Sequence, residues 1–249
     1  MDEPAGPLSR RPSASDGPQV VEVASSGDLP GVLDRAGLRR SQPVLVLVGG
    51  AAGMDGEMLD RLQGLVRTDL APLLDEHDVA VVDGGTDAGV MRAIGRTRSA
   101  AGSRFPLVGV VARGTVALPG ASSATDAAAP EPHHTHLLLV PGDSWGDEAP
   151  WLATVADVLA GGRPSVTLLV NGGEIAYADV ERSLERGRPV IVLAGTGRTA
   201  DALAAAVAGR KADARATALV QSGPIRVVPF ETPDALRSVV AETLGVTSG

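Results

Sequence analysis

The chain has 249 residues, 44% of them hydrophobic, and a net charge of −8 from 22 basic and 30 acidic residues. That balance, with no basic stretch, argues against direct binding of DNA or RNA. The absence of cysteine excludes disulfides, a thiolate nucleophile and cysteine-ligated metal or iron–sulfur centres. No run reaches the roughly 20 apolar residues of a membrane helix. Only 2% of residues are aromatic, so the core must come from Val, Leu and Ala, and Tyr177, Trp145, Trp151, Phe105 and Phe230 are the full supply for stacking on a base. All basic residues except Lys211 are arginine, a pattern of a GC-rich bacterial genome.

Residues 1–18 are rich in Pro, Ser, Gly and Asp and lack the apolar stretch of a signal peptide, which predicts a loose tail on a cytoplasmic protein. Residues 19–24 alternate like a strand, and 29–38 read as a short helix capped by Ser26 or Asp28. The first core strand spans 44–48 and ends in Gly49, Gly50 and Ala51; a helix over 56–76 follows, with Asp55 as its N-cap. A second strand over 79–83 enters Gly84, Gly85 and Thr86 before a helix over 87–99, and 107–112 is the third strand.

Residues 113–135 are dominated by Gly, Pro, Ala, Ser and Thr, a loop long enough to be functional or disordered. Then come His133, His134 and His136, a strand over 137–140, an acidic loop over 143–148 and a helix over 151–159. A strand over 165–170 ends in Asn171, Gly172 and Gly173 before a helix over 174–186; a strand over 189–194 ends in Gly195, Thr196, Gly197 and Arg198 before a helix over 198–208. A last strand over 225–228 and a helix over 233–244 close the chain. Alternation of this kind predicts a Rossmann-like, doubly wound α/β fold: a mostly parallel sheet with helices on both faces, in one domain over 19–249.

The four strand-to-glycine turns carry the functional signal. In an open parallel sheet the carboxyl ends of the strands share one edge, where bare backbone N–H groups and helix N-termini suit a phosphate. Neither G-x-G-x-x-G nor G-x-x-x-x-G-K-[ST] is present, which disfavours an ordinary dinucleotide dehydrogenase or a P-loop ATPase. Arg198 sits in the first turn of its helix, unfavourable for a cation unless an anion lies nearby. Thr86 has two readings, a hydroxyl for phosphate or a helix cap. Asp201 would orient Arg198 or a ribose hydroxyl. The histidines with Asp143, Asp147 and Glu148 contain metal-ligating types, but a hydrogen-bonding role is preferred for His134 and no metal is assigned.

The ordered set Gly49-Gly50-Ala51, Asp83-Gly84-Gly85-Thr86 with Gly89 following, His134-Thr135-His136, Asn171-Gly172-Gly173 and Gly195-Thr196-Gly197-Arg198 with Asp201 closely resembles the LSDAT branch of the SLOG superfamily over residues 44–206. That branch includes prokaryotic proteins and the N-terminal cytosolic region of melastatin-type (TRPM) channels. The resemblance implies a domain that binds or senses a nucleotide-derived small molecule, ADP-ribose, NAD or a relative, with no required cofactor, no membrane contact and a homo-oligomer allowed. The ligand-binding residues it implies are Gly49, Gly50, Ala51, Gly84, Gly85, Thr86, Gly89, His134, Gly172, Gly173, Gly195, Thr196, Gly197, Arg198 and Asp201. The channels carry Thr before the first glycine pair and Asn soon after it; Val48 and Gly53 stand here. A related branch, the LOG phosphoribohydrolases, cleaves N-glycosidic bonds with a carboxylate in P-G-G-x-G-T-x-x-E. Aligned on Gly172-Gly173, its Gly-Thr becomes Ile175-Ala176 and its Glu becomes Asp179, so a nucleosidase, phosphoribohydrolase or nucleotide hydrolase using Asp179, Asp201 or Glu174 is the alternative.

Overall fold

The computed structural model describes residues 17–50, 54–118 and 126–246. Apolar β-branched runs form eight strands among these residues: β1 (Gln19–Glu22), β2 (Val44–Gly49), β3 (Ala80–Asp83), β4 (Leu107–Ala112), β5 (His136–Val140), β6 (Ser165–Val170), β7 (Val190–Ala194) and β8 (Ile225–Pro229). They make one sheet in the order β1-β5-β4-β3-β2-β6-β7-β8, every pair parallel. β2 to β5 and β6 are buried almost throughout, which is why they read as continuous apolar runs and not as alternations.

The helices are α1 (Leu29–Arg35), α2 (Gly56–Leu65), α3 (Ala71–Glu76), α4 (Gly89–Ala101), α5 (Ala149–Ala160), α6 (Glu174–Glu185), α7 (Arg198–Val207), α8 (Ala214–Ser222) and α9 (Pro233–Leu244). A π-helical segment, Val66–Leu70, joins α2 to α3, so the single expected helix is one run wound more widely in the middle, just before Pro72. Asp55 caps α2 by accepting from the Met58 N–H at 2.8 Å, as its position predicts. Asp28 stands at the N-cap position of α1 without a side-chain cap bond, because its carboxylate accepts from Ser25 instead.

Side chains of α2, α3, α4 and α9 pack with alternate sheet residues into one core, and those of α1, α5, α6, α7 and α8 into the other. This partition follows from right-handed crossovers: the chain steps outward from β2 to β3, β4 and β5 over one face, then returns across the other to β6, β7 and β8. Helix α8 is absent from the expected elements, although Asp213 caps it by accepting from the Ala216 N–H at 2.8 Å. Its alanine-rich composition hides the apolar stripe of Ala216 and Leu219.

The close approach of elements at the carboxyl edge sets one glycine outright. A Cβ on Gly49 would lie 2.6 Å from the Val170 carbonyl oxygen and 2.7 Å from Val90 Cγ1. Gly49→Ala should therefore destabilise the fold by about 1–3 kcal/mol, as overpacking does. Chemical denaturation measures it, and an unchanged midpoint would mean that the ends of β2 and β6 stand further apart.

Candidate functional site

The carboxyl ends of β2 and β6 flank the point where the sheet order reverses, with α2 leaving toward one face and α6 toward the other. Open α/β sheets bind ligands in the crevice that such divergence leaves. A cleft of about 340 Å³ lies there, lined by Gly49, Gly50, Gly84, Thr86, Gly173 and Arg198 from the glycine turns. Trp145, Glu148, Glu174, Ile175 and Asp179 also line it. A wider hollow of about 690 Å³ lies at the opposite, amino end of β2, beside Arg39 and Arg40. It is shallow and open, and its arginines pair with Asp78 at 3.4 Å and Asp34 at 2.9 Å, so the smaller, better enclosed cleft is the candidate.

Helices α4, α6 and α7 begin at this edge with Ala88, Gly173 and Gly197 as N-cap residues, none making a side-chain cap bond. In the first turns the Ala200 N–H donates to the Asn171 carbonyl at 2.8 Å and the Ala176 N–H to the Gly173 carbonyl at 3.1 Å, and the amides before them are the donors such a helix start offers an anion. Arg198 adopts φ +51° and Asn171 φ +58°, two of the four left-handed non-glycine residues among those described. Such positions cost of order 1 kcal/mol each and gather at ligand sites. The Asn171 N–H donates to Thr196 Oγ1 at 2.7 Å and its amide Nδ2 to the Thr196 carbonyl at 2.6 Å, tying the ends of β6 and β7 together. The Arg198 guanidinium then covers Gly173: a Cβ there would sit 3.0 Å from a guanidinium nitrogen.

The second glycine turn is held from behind by a buried ion cluster. His134 Nε2 donates to Asp83 Oδ1 at 2.7 Å and Nδ1 to Glu131 Oε2 at 2.8 Å, all three side chains fully buried. Burial opposes the imidazolium, but the two carboxylates prevail and push its pKa up to about 9. Asp83 Oδ1 also accepts from the Gly85 N–H at 2.8 Å, while Glu131 N–H donates to the Gly85 carbonyl at 2.9 Å and Asp87 N–H to the Ala129 carbonyl at 2.8 Å. The turn is thereby stapled to residues 126–135, which are closely bonded, contrary to a loose reading of that part of the long loop.

Two carboxyl groups face the cleft from the helices on one side. Burial, then the nearby Glu148 charge, raises Asp179 to about 7, and burial raises Glu148 as well. Tyr177 on the same helix is pushed up to about 12, by burial first and then by its hydrogen bond to Asp213 at 2.6 Å. It sits between α6 and α8, outside the cleft lining.

Of the residues expected at the site, Gly49, Gly50, Gly84, Thr86, Gly173 and Arg198 meet in the cleft, and Ala51 lies outside the described residues. The others serve the frame. Gly85, at φ +64°, has no room for a Cβ against Leu137 at 2.8 Å and Gly109 at 2.9 Å; Gly89 opens α4 at φ +48°. Gly172, at φ +95°, packs on Ala176 and Thr199. Asp201 Oδ1 accepts from the Gly195 N–H at 2.6 Å and Thr196 donates to the Leu193 carbonyl at 2.6 Å, so the Gly195-Thr196-Gly197 turn is closed on itself. Thr86 does not cap α4, whose N-cap residue is Ala88. His134 is buried between carboxylates, and His136 bonds the Ala36 carbonyl through Nε2 at 3.0 Å, so the two histidines do not share a ligand. Sequence reasoning missed Glu131 and undervalued Glu148; the signal was an acid enclosed by Pro130 and Pro132 just before the histidines.

Sheet order, crossovers and cleft define a Rossmann-like α/β protein with a switch-point crevice. Residues 42–237 match the family described as SLOG in TRPM, prokaryote, and the chain belongs to that family, which sets its function among nucleotide-related ones. The X-ray structure of TM1055, a Northeast Structural Genomics Consortium target, is similar with a TM-score of 0.52 at 20% identity, over 80% of this chain and 98% of that one. That likeness shows the fold. Comparison with curated proteins finds no match. Among the described residues no helix is long and apolar enough to cross a membrane.

Both raised groups tie stability to pH with the same sign. His134, ordinarily near 6.5, stabilises fully below that pH and loses its contribution as pH rises through about 9. Asp179 favours its neutral form, so its ionisation costs stability between its ordinary value near 3.8 and about 7. The thermal midpoint should fall by about 2–8 °C between pH 7 and 9.5, the shift that one to two kcal/mol produces in a chain of this size. Asp179→Asn should remove only the fall at lower pH. A flat profile from pH 7 to 9.5 would contradict an imidazolium between Asp83 and Glu131.

Proposed function

We propose that the switch-point cleft binds a nucleotide-derived small molecule of the ADP-ribose or NAD-derived type, and that the protein is a ligand-binding or sensing module. The observation that carries this reading is the convergence of Gly49, Gly50, Gly84, Thr86, Gly173 and Arg198 on one cleft at the reversal of sheet order. Amides of three turns, uncapped helix N-termini and a guanidinium supply what a phosphate needs; Glu148 and Asp179 supply acceptors or donors for ribose hydroxyls. Family membership supports the nucleotide class. A cleft of about 340 Å³ is at the small end of ligand sites, which run from about 300 to 1,000 Å³.

One observation favours the second reading, hydrolysis of an N-glycosidic bond. Asp179 aligns with the carboxylate of the LOG motif and lines the cleft beside Glu148, and burial pushes its pKa up to about 7, where a carboxyl group can give a proton to a leaving base or take one from water. Ile175 and Ala176 stand where that motif has Gly and Thr, and Asp is one methylene shorter than Glu, so the binding reading is retained.

Arg198→Ala should weaken ADP-ribose or AMP binding by about 1.5–3 kcal/mol, the range for a charge-assisted hydrogen bond. Calorimetry measures it, and unchanged affinity would remove Arg198 from the site. AMP, NAD and ADP-ribose should be recovered intact after prolonged incubation. Protein-dependent release of free base, abolished by Asp179→Asn, would establish the hydrolase reading instead.

A further inference from the structure

We infer that the cleft takes a nucleoside 5′-phosphate whose aromatic base stacks on Trp145, and not a sugar phosphate alone. This rests on the reading of the glycine turns and Arg198 as the phosphate end. Among the described residues the exposed large hydrophobics are Val20, Trp145, Ile175 and Val207, and two of them, Trp145 at 38% and Ile175 at 37% exposure, line this one cleft. They lie on facing elements: a Cβ on Gly146 would be 3.9 Å from Ile175 Cγ1. Ile175 is two residues from Gly173, which Arg198 covers, so the apolar rim and the cationic end adjoin across the start of α6.

Trp145 is built into place. Asp147 Oδ2 accepts from the N–H groups of Asp143 and Ser144 at 3.0 Å each, and Glu148 Oε2 accepts from the Gly146 N–H at 2.9 Å, fixing the chain on both sides. The indole N–H donates to Asp126 at 3.2 Å, which holds the ring by its edge. A ring ordered beforehand loses little freedom when a ligand arrives. On this reading Thr86, Arg198, Glu148 and Asp179 serve phosphate and ribose, and the flat π-face of a base is the part of the ligand that best matches an indole, since stacking on an aromatic side chain tolerates any base.

Trp145 and Trp151 are the chain's two tryptophans, so Trp151→Phe leaves Trp145 as sole reporter. AMP and ribose 5-phosphate are titrated separately, by fluorescence and by calorimetry. AMP should quench Trp145 and bind at least about tenfold more tightly than ribose 5-phosphate, in line with the usual strength of base stacking. Trp145→Ala should bring AMP to the level of ribose 5-phosphate without altering the latter, and Trp145→Phe should keep most of the AMP affinity. Equal affinities for the two compounds, both lost in Arg198→Ala, would overturn the stacking inference and leave the phosphate reading standing. Binding of neither compound would overturn both.

Discussion

The hand of the crossovers is the constraint on which the site depends. A parallel sheet whose connections are all right-handed must change faces when the chain changes direction. Beyond β2 the chain runs outward through β3, β4 and β5 with its helices on one face, then returns with them on the other to β6, β7 and β8. Helices α2 and α6 are thereby forced apart, and the crevice between them receives the carboxyl end of every central strand. Backbone amides, helix N-termini and the side chains that follow each turn arrive there without special design, so what distinguishes this molecule is how those turns are fixed and what fills the cleft's walls.

Fixation is by buried polar groups drawn from distant segments. Asp83, His134 and Glu131 form a cluster that would be expensive to desolvate if any member were missing, because an unpaired buried charge costs about 3–5 kcal/mol. The cluster gives no ligand contact, yet it sets the position of Gly84 and Thr86, which line the cleft. The Asn171–Thr196 pair has the same role at the other end, holding two residues in left-handed geometry or beside it so that Arg198 crosses Gly173. A preorganised site of this sort spends folding stability on geometry, and the raised pKa of Asp179 shows where.

Much of the fold was legible in the sequence because buried parallel strands leave a local trace: the limits of β4, β6 and α9 follow from apolar runs and flanking glycine or proline. The glycine turns were legible for the same reason, but their division of labour was not. Gly85, Gly172 and Gly195 look like Gly84 and Gly173 in sequence; only neighbours far along the chain, such as Gly109 against Gly85, show which face a ligand and which face the frame. Long-range polar partners were illegible on the same ground. His134 and Glu131 lie 51 and 48 positions from Asp83, and periodicity carries no record of such pairings. Trp145 was visible as a scarce aromatic, while its place on the cleft required the return of α5 beneath β2.

The most direct measurement is a crystal structure of the protein grown with ADP-ribose or AMP. The phosphate should lie within hydrogen-bond reach of backbone amides at Gly50 or Gly84 and of the Arg198 guanidinium, on the edge where β2 and β6 diverge. A phosphate seated in the open hollow beside Arg39 and Arg40, with the switch-point cleft holding solvent, would contradict the assignment of the site.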